Sequence, residues 1–72
     1  EVRVPVLDRR GEIAAIASLS TDLDVNIYDL EIAHSAEGDR GVVVLIVEAS
    51  LAERLSGGLI AQGYRPAVRL LT

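Results

Sequence analysis

Residues 42–47 read Val-Val-Val-Leu-Ile-Val, six apolar residues without a polar interruption. A strand wetted on one side alternates apolar with polar residues, so an unbroken apolar run predicts a strand covered on both faces. Seventy-two residues are few for such a strand, because a chain of this size hides only about 60% of the surface its unfolded form exposes. With no cysteine, neither a disulfide framework nor a thiolate metal site can supplement the core. Burial must supply the stability, and at least part of the second sheet face is expected to be covered by a second copy, a neighbouring domain, or both.

Five further elements surround this run. Val2, Val4 and Val6 alternate with Arg3 and Pro5, which predicts a strand over 2–7. Asp8-Arg9-Arg10-Gly11 breaks the alternation, and from Glu12 the residues Ile13, Ile16, Ala17 and Leu23 fall near helical spacing, predicting a helix to about Leu23. Between residues 25 and 35 the apolar positions change phase, from Val25 and Ile27 to Tyr28, Leu30 and Ile32. That change predicts a second strand with a bulge or bend near Ile27. The polar connector 36–40 has hairpin length and leads into the apolar run, so the second and third strands should pair antiparallel. Ser50 followed by Glu53 has the spacing of a capping box and predicts a helix start there. Leu51, Leu55 and Leu59 share one face of that helix, Gly57-Gly58 weakens it, and Gly63 is placed to end it. Residues 64–71 predict a last strand, with Pro66 favouring a sheet edge.

The order strand, helix, strand, strand, helix, strand is the split β-α-β motif of the α+β, ferredoxin-like class. It predicts a single domain over 1–72 with a four-stranded antiparallel sheet and two helices on one face. Right-handed crossovers place strands one and three in the centre and strands two and four at the edges.

Charge and composition remove several function classes. A net charge of −4 repels nucleic-acid phosphates, and two tyrosines with no phenylalanine or tryptophan make a poor base-stacking platform. Nucleic acid is therefore not an expected partner. No apolar stretch approaches the roughly 20 residues that span a bilayer, so no membrane role is expected. Glu1-Val2-Arg3 lacks both an initiating methionine and a signal-peptide layout, which points to a piece of a longer, cytoplasmic polypeptide. A metal-carrying module of this topology would need Cys-x-x-Cys. An acylphosphatase-like enzyme could use Arg9-Arg10-Gly11 before a helix, but Asp8 and Glu12 flank that loop with negative charge and further glycines are missing. His34 and Ser35, adjacent on a strand, point to opposite faces and cannot form a nucleophile–base pair with each other. His34 reads as a strand or interface residue, and the domain by itself is expected to be neither an enzyme nor a cofactor carrier.

What remains suits a small zwitterion. The start of the first helix offers backbone N–H groups to a carboxylate, and Gly11 there permits close approach. Asn26 offers an amide donor and a carbonyl acceptor, and Asp8 could hold an ammonium group. Ordinary structural roles fit the same residues: Gly11 and Asn26 in turns and Asp8 as a cap.

The stretch Val4-Pro5-Val6-Leu7-Asp8-Arg9-Arg10-Gly11-Glu12-Ile13-Ala14 resembles the opening of ACT domains, where a strand meets an Asp-Arg-Pro-Gly-like turn and then a helix. Leu23-Asp24-Val25-Asn26-Ile27 is similar to the family's Gly-Val/Ile-Asn-Ile lead into its second strand, and the resemblance extends over essentially the whole chain. Residues 26–35 look most like the C-terminal ACT domain of bacterial prephenate dehydrogenases, with acetolactate synthase regulatory subunits a second candidate. The resemblance implies a regulatory domain that binds a free amino acid between paired copies. Tyrosine or phenylalanine would be sensed on behalf of an attached catalytic domain, in a homodimer or higher homo-oligomer. Carried over by position, it implicates Leu7, Asp8, Arg10, Gly11, Asn26 and Ile27 in ligand binding. Arg10 stands where the family has proline and Asp24 where it has glycine, and either change could alter or abolish ligand binding. A non-sensing assembly module is the alternative.

Overall fold

The computed structural model describes residues 1–7, 11–34 and 40–71. Alternation over the first residues becomes β1 (Val2–Leu7), with Val2 and Val4 buried and Arg3, Pro5 and Leu7 exposed. It is followed by α1 (Glu12–Asp22), β2 (Ile27–His34), β3 (Arg40–Val47), α2 (Ala52–Ala61) and β4 (Ala67–Val68). The sheet order is β2-β3-β1-β4, and every neighbouring pair is antiparallel. This is the expected βαββαβ arrangement, with β1 and β3 central.

The core lies on one face of the sheet. Val2 and Val4 from β1 and Val43, Leu45 and Val47 from β3 meet Ile16 of α1 and Ala52, Leu55 and Leu59 of α2. Ile16, Leu45, Leu55 and Leu59 are fully buried, and each such side chain contributes roughly 1.5–3 kcal/mol by leaving water. On the other face, Val42, Val44 and Ile46 of β3 are half-buried with no helix above them. Among the described residues, no helix is long and apolar enough to cross a membrane.

The phase change in β2 is resolved by a bulge. Ile27 is opposite Val47, but Asp29 is opposite Ile46, so Tyr28 is the extra residue. The inserted residue lets Ile27 share the helix-covered face with Leu30 and Ile32, opposite Leu45 and Val43.

Both helices end in the same backbone motif. At the end of α2, Gly63 takes φ +94°, its N–H donates to the Ile60 carbonyl at 3.0 Å, and the Tyr64 N–H donates to Leu59 at 3.0 Å. At the end of α1, Asp24 at φ +59° donates to Thr21 at 3.0 Å, and Val25 donates to Ser20 at 2.8 Å. These are paired Schellman closures, and the left-handed position in them normally falls to glycine. The residue that departs from the ACT pattern at position 24 thus occupies a helix-terminating site, where a Cβ is costly.

Two local expectations need correction. Ser50 does not cap α2: a 3₁₀ turn over Ala49–Leu51 precedes the helix, and no side-chain cap hydrogen bond is made. The Leu51 N–H donates to the Glu48 carbonyl at 2.9 Å, so the backbone closes that first turn itself. The last strand is also shorter than 64–71, with only Ala67 and Val68 assigned to the ladder and a further reciprocal pair between Glu1 and Arg69 at 2.8 Å each. Tyr64 is occupied in closing α2, and Pro66 has no N–H to give a ladder.

Candidate effector site

One end of the sheet gathers the C-terminus of β1, the start of α1, the end of β2, the start of β3 and the exit from α2. An open cleft of about 990 Å³ lies there, bordered by Leu7, Glu12, His34, Arg40, Tyr64 and Arg65 among others. The elements converge because β1 and α2 both run toward this end while β3 starts from it, with Leu7 opposite Arg40 in the register.

Gly11 stands before α1 in a left-handed conformation, φ +92° and ψ −10°, and a Cβ built on it would meet nothing within 4 Å. The conformation explains the glycine, since an L side chain there would be strained. Among the described residues nothing fills the space beside it, which is what a ligand approaching the backbone requires. No side chain among the described residues caps α1, whose first turn carries the positive end of the helix dipole and places Glu12 on the border of the cleft.

Glu12 and Tyr64 join the two helices across the cleft. The Tyr64 hydroxyl donates to Glu12 Oε2 at 2.7 Å. The bond to the carboxylate holds the phenol above its ordinary pKa, with burial and the carboxylate's charge acting in the same direction. Arg40 and Arg65 border the same cleft and form no ion pair among the described residues. Together with the α1 terminus they favour an anionic group, while Leu7, Pro5 and Val6 offer apolar wall. Among the described residues, no group of three His, Cys, Asp or Glu side chains is placed to hold a metal.

The four described residues of the expected binding set do not form one cluster. Leu7 and Gly11 lie at this end, both exposed, whereas Asp8 and Arg10 lie outside the described residues. Asn26 and Ile27 are at the opposite end, where Ile27 is opposite Val47. Seven residue steps along β3 lead from Arg40 to Val47, a distance of about 23 Å at the usual strand rise. His34 is opposite Gly41 on the helix-covered side, and Ser35 lies outside the described residues. Sequence reasoning did not single out Glu12, Tyr64, Arg40 or Arg65. The one local clue was the Gly63-Tyr64 pair, because the residue after a helix-ending glycine usually packs back on the last turn.

No family model matches the chain, and no curated protein matches it. Among solved structures, the ACT domain of prephenate dehydrogenase TyrA from Bacillus anthracis superposes with a TM-score of 0.83 at 24% identity, covering 92% of this chain and 97% of that one. The chain has the ACT fold. Protein BT0572 from Bacteroides thetaiotaomicron shares that fold with a TM-score of 0.79 at 16% identity. The match covers 94% of this chain and 44% of that one, so this ACT-fold unit spans less than half of the larger protein.

Proposed function

We propose that this chain is an amino-acid-sensing regulatory domain that works attached to a catalytic partner in amino-acid biosynthesis, not an enzyme itself. The reading rests on the ACT fold together with one observation: Gly11, left-handed and without a side chain, precedes an α1 start that no described side chain caps, beside a cleft whose Arg40 and Arg65 form no ion pair among the described residues. A ligand carboxylate fits the helix terminus, and an apolar side chain fits the Leu7 wall. Tyrosine or phenylalanine is the favoured effector, and a cytoplasmic prephenate dehydrogenase the favoured parent, by the sequence resemblance and the fold shared with the TyrA domain.

The distance between the two halves of the expected site gives the sensing mechanism a geometry. Leu7, Asp8, Arg10 and Gly11 of one copy would meet Asn26 and Ile27 of a second copy arranged head to tail. A ligand held by both copies binds the pair more tightly than the separated domains and so shifts the attached enzyme's equilibrium. Calorimetric titration with each of the twenty amino acids should give saturable binding to at least one, weakened by Gly11→Val or Asn26→Ala. Twenty flat titrations of the folded, paired protein would count against sensing.

A non-sensing assembly module is the second reading, favoured by the half-buried Val42, Val44 and Ile46 on the open face. Pairing that persists without any amino acid, combined with flat titrations, would select it.

A further inference from the structure

Opposite charges border the cleft without pairing with each other. Glu12 reaches it from the first turn of α1, Arg40 from the first residue of β3 and Arg65 from the chain leaving α2. Among the described residues, the ion pairs are those of Glu1 with Arg3 and Arg69, so neither arginine of the cleft neutralises Glu12. Arg40 precedes the buried Gly41 on β3 and belongs to the face away from the helices, whereas Glu12 stands on the helix side. The end of the sheet keeps the two signs apart.

Glu12 is also held in place. The Tyr64 ring packs against the core, its backbone N–H closes α2 on the Leu59 carbonyl at 3.0 Å, and its hydroxyl donates to Glu12 Oε2 at 2.7 Å. A carboxylate accepts at both oxygens. The phenol therefore fixes one oxygen and leaves Oε1, which has no hydrogen bond among the described residues, for a further donor.

We propose that Glu12, oriented by Tyr64, receives the ammonium group of a zwitterionic ligand whose carboxylate lies toward the arginines, so that the cleft selects α-amino acids over carboxylic acids of the same shape. The inference rests on the sensing reading and adds to it the residue that tells an amino acid from its deaminated counterpart. A ligand carrying both signs answers the groups on either side of the sheet end at once, which a simple anion cannot do. Because the phenol already orders the carboxylate, little freedom is lost when the ammonium arrives. The resulting hydrogen bond is charge-assisted at both ends and stronger than a neutral one. A ligand without the ammonium leaves the Glu12 charge unanswered.

Calorimetric titration with two matched probes tests the proposal: the amino acid that binds, and the acid that lacks only its ammonium, which for tyrosine is 3-(4-hydroxyphenyl)propanoate. The parent protein should bind the amino acid at least about tenfold more tightly than the desamino acid. Glu12→Gln keeps an oxygen for the Tyr64 hydroxyl but not the charge, and should erase that preference while leaving the affinity for the desamino acid within about twofold. Tyr64→Phe keeps the charge but releases the carboxylate, and should reduce the preference about threefold. Thermal melts accompany both variants. A parent protein that binds the two probes equally would overturn the proposal, with no variant needed. So would a folded Glu12→Gln that keeps the preference, or one that loses both probes equally, the mark of a purely structural tie. Those results leave sensing intact, whereas a parent protein that binds no amino acid removes sensing and this selectivity together.

Discussion

Tyr64 reaches across 52 residues of sequence to donate its hydroxyl to Glu12, tying the exit of α2 to the first turn of α1. The bond is partly buried and charge-assisted, and solvent exposure reduces its worth to about 1 kcal/mol. Tyr64→Phe should lower stability by that amount, read as a fall of about 4–8 °C in Tm.

The same contact predicts a response to alkali. Because the folded-state phenol titrates above its ordinary value, its stabilisation is complete below the unfolded pKa of about 10 and is lost as pH rises through the folded value. Melting of the parent protein should therefore fall more steeply above about pH 10 than melting of Tyr64→Phe. Parallel curves would show that the phenol does not titrate differently in the folded state.

Gly57 and Gly58 are neighbours in α2 with opposite prospects. A Cβ on Gly57 meets nothing within 4 Å, whereas one on Gly58 collides with Leu23 Cδ1. Gly57→Ala should stabilise by about 0.5–1 kcal/mol through helix propensity alone. Gly58→Ala should show none of that gain, and Gly58→Val should cost about 1–3 kcal/mol by overpacking against Leu23. Urea denaturation of the three variants decides it.

The helix-ending positions make a second contrasting pair. Gly63→Ala forces a Cβ into the left-handed region and should cost about 1 kcal/mol. At position 24 the penalty is already present in the parent sequence, so Asp24→Gly should raise stability by about 0.5 kcal/mol, net of the greater freedom glycine gives the unfolded chain. A loss of stability in Asp24→Gly would mean that the carboxylate makes a compensating interaction.

A shared effector site predicts complementation. Gly11→Val and Asn26→Ala should each abolish high-affinity binding. An equimolar mixture should recover roughly one quarter of the sites, because half the pairs are mixed and each mixed pair has one intact site of two. No recovery in a mixture shown to exchange copies would place the ligand within one chain.

The periodic features were the legible ones. The alternation of Val2, Val4 and Val6, the phase change around Ile27 and the glycine at 63 each state a local geometry, and the fold follows from their order. The capping-box spacing of Ser50 and Glu53 misled because the 3₁₀ turn at Ala49–Leu51 satisfies the backbone without a side chain. Asp24 hid its role because an aspartate carries no sign of the left-handed backbone it occupies. The Glu12–Tyr64 bond and the separation of Leu7 from Asn26 depend on how strands pair, which no window of sequence contains.

The length of β3 has a bearing on how such a sensor would behave in a cell. If its contacts are divided between the two ends of a strand, as proposed above, a solitary copy would hold only half a grip on any effector. Occupancy would rise with the abundance of the protein as well as of the amino acid, and dilution would act as an antagonist.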